Sequence, residues 1–327
     1  MFLYLLGLAV GFCILIVAAD YFIRGASALA RNLGVSPLII GLTIVGLGTS
    51  TPEMLVAATA SWQGNTGLAI GNAIGSNIAN IGLVLGVTAL VSPIVVRSAI
   101  LRREFPVLLL ISSASYLLLI DGNLSFIDGL VLLGSLVVFL LWVVRCAQKS
   151  KKALADPLDV EFSAEIPKDT STSKASFFCL FGLIGLVLSS KLLVWAAVHI
   201  AITFGVSDLV IGLTIVAIGT SLPELAASIT SVLKKEPDLA VGNVVGSNIF
   251  NLLAVLSLPG LIQPGSIDSL AIYRDFPLML LMTVLLFLLS FNFKNKAQLG
   301  RAKGFVLVFL FIAYLGKLYL DTIGFSA

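Results

Sequence analysis

Gly48-Thr49-Ser50-Thr51-Pro52-Glu53 in the first half of the chain returns in the second half as Gly219-Thr220-Ser221-Leu222-Pro223-Glu224. Outward from this stretch, Gly41-Leu42-Thr43-Ile44-Val45 returns as Gly212-Leu213-Thr214-Ile215-Val216. Gly71-Asn72 returns as Gly242-Asn243, and Gly75-Ser76-Asn77-Ile78 as Gly246-Ser247-Asn248-Ile249. The offset is 171 residues throughout (Glu53 to Glu224), and it still holds between Arg103-Glu104-Phe105-Pro106 and Arg274-Asp275-Phe276-Pro277. A repeat of this length means two copies of one structural unit.

Of the 327 residues, 58% are hydrophobic and 11% are charged, and the mean hydropathy is +1.09. A soluble core of this size does not need so much apolar surface, so the composition reads as an all-α polytopic membrane protein. In such a chain an internal repeat is the sequence sign of a secondary transporter. Cys13, Cys146 and Cys179 lie in or beside apolar runs at no metal-like spacing, which reads as packing rather than a disulfide framework. The first basic residue is Arg24, so the N-terminal run lacks the charged start of a signal peptide and is kept as a span.

A span needs roughly 20 apolar residues. By that ruler the sequence predicts ten, near 2–23, 36–60, 68–95, 104–121, 124–145, 175–201, 207–232, 239–263, 270–291 and 304–322. The long polar stretch 147–174 carries Lys149, Lys151, Lys152, Asp156, Asp159, Glu161, Glu165 and Asp169 and reads as a solvated linker. It divides the chain into a first five-helix unit at 1–146, with its motif at 41–80, and a second at 175–327, with its motif at 212–251. With the N-terminus outside, all of the 20 Lys and Arg residues except Arg274, Lys317 and the intraspan Lys191 fall on the inner side. The excess of positive charge in cytoplasmic loops selects that orientation and makes the linker cytoplasmic. Because five is odd, the second unit enters from the opposite side, and the two copies are inverted in the membrane.

Glu53 and Glu224 sit inside apolar runs at equivalent places. A carboxylate at membrane depth costs at least ~2.5–3.5 kcal/mol on insertion scales, so two placed symmetrically call for a partner that takes their charge. On a helix Thr49 and Ser50 share a face with Glu53, as do Thr220 and Ser221 with Glu224. Ser76 and Asn80 stand at i, i+4, as do Ser247 and Asn251. Each half thus offers a carboxylate, three hydroxyls and a carboxamide, an all-oxygen set of the kind that binds hard cations such as calcium. Pro52 and Pro223 each remove a backbone N–H one residue before the glutamate, and Gly46, Gly48 and Gly219 loosen the same turn. A helix broken there frees carbonyls that can line an internal ion site. The single histidine, His199, lies outside both motifs, and no His-Glu-x-x-His hydrolase motif is present.

Gly-Thr-Ser-x-Pro-Glu followed by Gly-Asn-x-x-Gly-Ser-Asn-Ile-x-Asn, present twice, resembles the cation/calcium antiporter superfamily and, within it, the prokaryotic sodium/calcium exchangers. The resemblance covers essentially the whole chain. It implies ten transmembrane helices in two inverted repeats that meet at the membrane midplane, where one calcium site is flanked by sodium sites. By motif position, the calcium carboxylates are Glu53 and Glu224. The supporting oxygens are those of Thr49, Ser50, Thr220, Ser221, Ser76 and Ser247, with the carbonyls of Gly46 and Ala217 and the carboxamides of Asn80 and Asn251. Some relatives carry Asp at the position of Asn251, and in the potassium-dependent branch that Asp is linked to potassium; Asn here argues against potassium co-transport. Thr51 replaces the more usual leucine before the proline, with little consequence expected.

These readings imply exchange of Ca2+ for Na+ by alternating access in the cytoplasmic membrane of a prokaryote, with no cofactor. The partners are Ca2+, Na+ and the lipid bilayer; no nucleic acid and no protein partner is implied. Two other readings stay open. One is H+/Ca2+ exchange, since a buried glutamate can carry a proton. The other is a cation channel built on carboxylates or carbonyls.

Overall fold

The computed structural model describes residues 1–35, 40, 46–95, 99–150, 170–290, 298–322 and 324. The first copy of the Gly41–Val45 stretch, most of the polar linker, and the charges Arg97, Lys151, Lys152, Lys168, Lys294 and Lys296 lie outside them. The described chain is helical but for two short strand pairs, Ile94–Val95 with Gln298–Leu299 and Asn123–Leu124 with Gly265–Ser266. Helix is what an apolar chain must adopt where lipid offers no partner to its backbone.

The elements are α1 (Phe2–Asn32), α2 (Gly46–Thr49 and, after a break at Ser50, Thr51–Trp62), α3 (Thr66–Val91), α4 (Ala99–Leu119) and α5 (Phe126–Ser150). They continue with α6 (Thr172–Phe204), α7 (Asp208–Leu233), α8 (Pro237–Ile262), α9 (Ala271–Leu289) and α10 (Arg301–Thr322). Among the described residues eight helices are long and apolar enough to cross a membrane, and Glu104–Leu119 within α4 is a shorter apolar helix. The predicted span 36–60 is described only from its latter part, as α2.

The predicted first span, 2–23, becomes a helix that runs on to Asn32. Six of the nine added residues are Ala, Leu or Arg, all good helix formers, and Arg24 Nε pairs with Asp20 Oδ1 one turn back at 2.9 Å. The helix stops where Gly34 takes φ +83°, with Val35 N–H reaching back to the Ala30 carbonyl at 3.1 Å. One repeat offset later α6 stops in the same way, at Gly205 with φ +63° and with Val206 N–H on the Ala201 carbonyl at 3.0 Å.

α1 and α6 form an antiparallel pair that crosses where glycine lets the chains touch. A Cβ on Gly11 would lie 2.8 Å from Leu193, and one on Gly182 would lie 2.5 Å from the Phe22 nitrogen. Each contact is the other's counterpart at the repeat offset. α3 and α7 cross by the same device, with Gly71 against the Leu209 carbonyl and Gly212 against that of Leu68. α3 and α8 are the most enclosed spans, with 78% and 83% of their apolar windows buried, and they carry the motif residues from Gly71 to Asn80 and from Gly242 to Asn251.

Candidate cation-binding site

The helix break that the sequence predicts at Gly-Thr-Ser-x-Pro-Glu is present twice with one backbone conformation. Ser50 has φ −84°, ψ 1°, and Ser221 has φ −84°, ψ 2°; each precedes a helical segment with proline in its first turn. Because Pro52 and Pro223 have no N–H, the carbonyls four residues back, of Gly48 and Gly219, lose their helical donors. π-helical turns follow at Asn80–Leu85 in α3 and Asn251–Val255 in α8, each opening on one of the predicted asparagines. Such turns shift the backbone ladder by one residue and often mark functional positions.

Glu53 and Glu224 are fully buried. Around them the two copies exchange hydrogen bonds reciprocally. Thr49 Oγ1 from the first copy lies 3.2 Å from Asn243 Oδ1 and 3.1 Å from Ser247 Oγ, both of the second. Thr220 Oγ1 from the second lies 3.2 Å from Asn72 Oδ1 and 3.5 Å from Ser76 Oγ, both of the first. Asn72 Nδ2 donates to the Glu53 carbonyl at 3.2 Å, and Asn243 Nδ2 to that of Glu224 at 3.4 Å. Ser247 Oγ donates to Glu224 Oε1 at 3.3 Å. The Gly46 carbonyl accepts from Thr49 Oγ1 at 3.1 Å, and that of Ala217 accepts from Ser221 N–H at 3.1 Å and from Thr220 Oγ1 at 3.3 Å.

The structure therefore brings together Glu53, Glu224, Thr49, Thr220, Ser76, Ser247, Gly46 and Ala217. Ser50 and Ser221 sit at the two breaks, buried, with no partner for either hydroxyl among the described residues. Asn80 and Asn251 are fully buried one turn beyond the serines, and among the described residues neither carboxamide makes a hydrogen bond. Both oxygens of Glu53 and Oε2 of Glu224 are equally without donors. Buried polar atoms are rarely left so, and a cluster of unmatched oxygens suits a hard cation. Among the described residues no group of three or more His, Cys, Asp and Glu gathers, so nothing there resembles a zinc or soft-metal centre. Asn72 and Asn243 were not among the predicted site residues, although both recur at the repeat offset, and that was the available signal.

A cavity of about 950 Å3 reaches the site from one face. Its outer part is lined by Asp20 and Arg24 of α1 and by Thr230, Ser231 and Lys234 at the end of α7; its depth is lined by Gly242, Asn243 and Gly246 of α8, with Gly46 and Thr49. Among the described residues the equivalent positions on the opposite face are packed together. Where Gly246 faces open space, a Cβ on its counterpart Gly75 would lie 2.7 Å from Leu213 Cα. Thr230 and Ala19 line the cavity, whereas their counterparts Thr59 and Ser190 join α2 to α6 through hydroxyls 3.3 Å apart.

A second polar cluster lies apart from this site. Asp275, fully buried, takes Arg274 Nε at 2.8 Å and Nη2 at 3.1 Å, and accepts from the Tyr314 hydroxyl at 2.9 Å. Arg274 Nη1 continues to Asp321 at 2.9 Å, tying α9 to α10. Here every charge has its opposite in contact, so the cluster is a structural clamp.

Fold and site together define a multi-pass helical membrane protein whose interior holds a doubled, oxygen-lined site, the class of an ion transporter rather than an enzyme. The family model described as sodium/calcium exchanger protein matches residues 3–145 and 174–320, and the chain belongs to that family. It is similar to CaxA of Alkalimonas amylolytica, 50% identical over 93% of this chain and 95% of the relative. It is also similar to the inner membrane protein YrbG of Escherichia coli K12, 44% identical over 95% of each chain. Among solved structures, the sodium-calcium exchanger NCX_Mj, soaked with 100 mM Na+ and 10 mM Sr2+, superposes with a TM-score of 0.67. It is 34% identical, over 96% of this chain and 98% of that one.

Proposed function

We propose that this protein is a secondary active antiporter that exchanges Ca2+ for Na+ across the cytoplasmic membrane of a prokaryote by alternating access. The observation that carries the reading is the pair of fully buried carboxylates, Glu53 and Glu224, one from each copy and enclosed by reciprocal hydrogen bonds between the copies. Two carboxylates balance one Ca2+; several Na+ share the same oxygens less tightly. Competition for one ligand set then couples the two fluxes. Glu53 and Glu224 are the charged ligands. Thr49, Ser50, Thr220, Ser221, Ser76 and Ser247 supply neutral oxygens, the carbonyls of Gly46 and Ala217 supply backbone ligands, and Asn80 and Asn251 complete the set.

The membrane arrangement proposed with it has ten transmembrane helices as two inverted five-helix repeats, 1–146 and 175–327, joined by a cytoplasmic linker at 147–174, with the N-terminus outside. In that frame the face bearing Arg24 and Lys234 is cytoplasmic, and the cavity makes this an inward-open arrangement. Membership of a sodium/calcium exchanger family and the likeness to NCX_Mj support the reading.

Calcium uptake into proteoliposomes, with sodium and proton gradients imposed in turn, tests it. Uptake driven by internal Na+ is expected. Uptake that follows only a proton gradient would replace Na+ by H+ as the counter-ion, and uptake that needs no counter-ion would point to a channel.

A further inference from the structure

We propose that Asn72 and Asn243 are positioning residues of this site. Each takes the hydroxyl proton of the threonine from the opposite copy and so leaves that threonine's oxygen, and the carbonyl the hydroxyl would otherwise cap, free to face the cation. The inference rests on the reading of the site as a cation site and goes beyond its ligand set, which contains neither asparagine.

A threonine hydroxyl can donate once, and a hydroxyl that ligates a cation must point its hydrogen away from it. Among the described residues Thr49 Oγ1 lies within 3.2 Å of three acceptors: the Gly46 carbonyl at 3.1 Å, Ser247 Oγ at 3.1 Å and Asn243 Oδ1 at 3.2 Å. Gly46 and Ser247 are themselves proposed ligands, and donation to either would spend an oxygen the cation needs. Asn243 Oδ1 is the acceptor that is not. Its orientation is fixed chemically: the Glu224 carbonyl, which can only accept, lies 3.4 Å from the other amide atom, which must therefore be the NH2. The oxygen is then left facing Thr49. Ser228 Oγ, also 3.4 Å from Nδ2, holds the same side of the amide.

The same circuit recurs at Asn72, whose Nδ2 is held by the Glu53 carbonyl at 3.2 Å and whose Oδ1 faces Thr220 at 3.2 Å. There the Val216 carbonyl, at 3.1 Å, is a second acceptor outside the ligand set. Asn243 also borders the open cavity, where Asn72 is fully enclosed.

The test is a double-mutant cycle on Ca2+ affinity, measured by titration calorimetry on the full chain in detergent. Asn243→Leu and Thr49→Val are each expected to weaken binding about tenfold, the worth of ~1.4 kcal/mol. Because one acts through the other, the double variant should also lose about tenfold rather than about a hundredfold. Asn243→Leu with Thr220→Val, which do not touch, should lose about a hundredfold. Additive losses in the first pair, or equal coupling in both pairs, overturn the proposal, since a general packing defect would not choose between two threonines. If Asn243→Leu does not fold, the Asn72→Leu and Thr220→Val cycle decides, with smaller but still selective coupling expected. Absence of both Ca2+ and Na+ binding by the unmodified protein would overturn the site reading itself, and binding with additive cycles would overturn this proposal alone.

Discussion

Replacing either central glutamate by glutamine separates charge from shape. Both oxygens of Glu53 and Oε2 of Glu224 are buried with no donor among the described residues. Holding such a carboxylate at membrane depth costs at least ~2.5–3.5 kcal/mol, and an amide of equal size avoids most of that. Without bound cations, Glu53→Gln and Glu224→Gln should therefore melt at or above the temperature of the unmodified protein. Calcium affinity should move the other way. At the ~2.5 Å typical of calcium–oxygen contacts and an effective dielectric of about 20, one carboxylate attracts Ca2+ with about 13 kcal/mol before dehydration. If only a fifth of this survives dehydration, the loss is still about 2.7 kcal/mol, close to a hundredfold in Kd. Each single variant should abolish calcium uptake into proteoliposomes, and the two should fail alike, because the proposed site makes the carboxylates equivalent ligands. Uptake and thermal melting would be measured on one preparation. A folded single variant that still exchanges calcium would refute the shared site.

Gly75→Val should lower the melting temperature, because its side chain meets Leu213 Cα and overpacking of this kind costs ~1–3 kcal/mol. Gly246→Val, which enters open space, should leave melting unchanged; equal losses would contradict the one-sided cavity. Arg274→Leu strips Asp275 of its guanidinium and should destabilise by ~3–5 kcal/mol in a melting assay, whereas Tyr314→Phe removes one hydrogen bond and should cost ~1–2 kcal/mol. A cysteine placed at Asn65 should react with an impermeant thiol reagent applied to intact cells, and one at Gln148 should not; labelling at Gln148 would reverse the proposed orientation.

Much of this architecture could be read from residues alone, because the determinants are local. Proline inside an apolar span strips the carbonyl four residues back of its donor, and both breaks sit at the serines just before it. Apolar length predicts spans. What the sequence hid depends on which surfaces meet. Spacing along one helix pairs Thr49 with Glu53, but it cannot reveal that Thr49 faces Asn243, 194 residues away. The same blindness concealed Asn72, which in one dimension is only a polar residue beside a glycine. Nor can a repeat announce its own asymmetry: Gly75 and Gly246 have near-identical neighbours in sequence and opposite surroundings in space.

The hydroxyl contact between Thr59 and Ser190 has no twin, since the residue equivalent to Ser190 is Ala19, which cannot bond to Thr230. A duplicated machine with matched seams would have equal energies for its two mirror arrangements and would divide its time evenly between them. A single additional hydrogen bond, worth about 0.5–1.5 kcal/mol, tilts that balance by roughly two- to twelvefold toward the arrangement that contains it. In the proposed exchange cycle this one seam would hold the face with Thr59 and Ser190 shut more firmly than its counterpart and turn the site toward the opposite compartment.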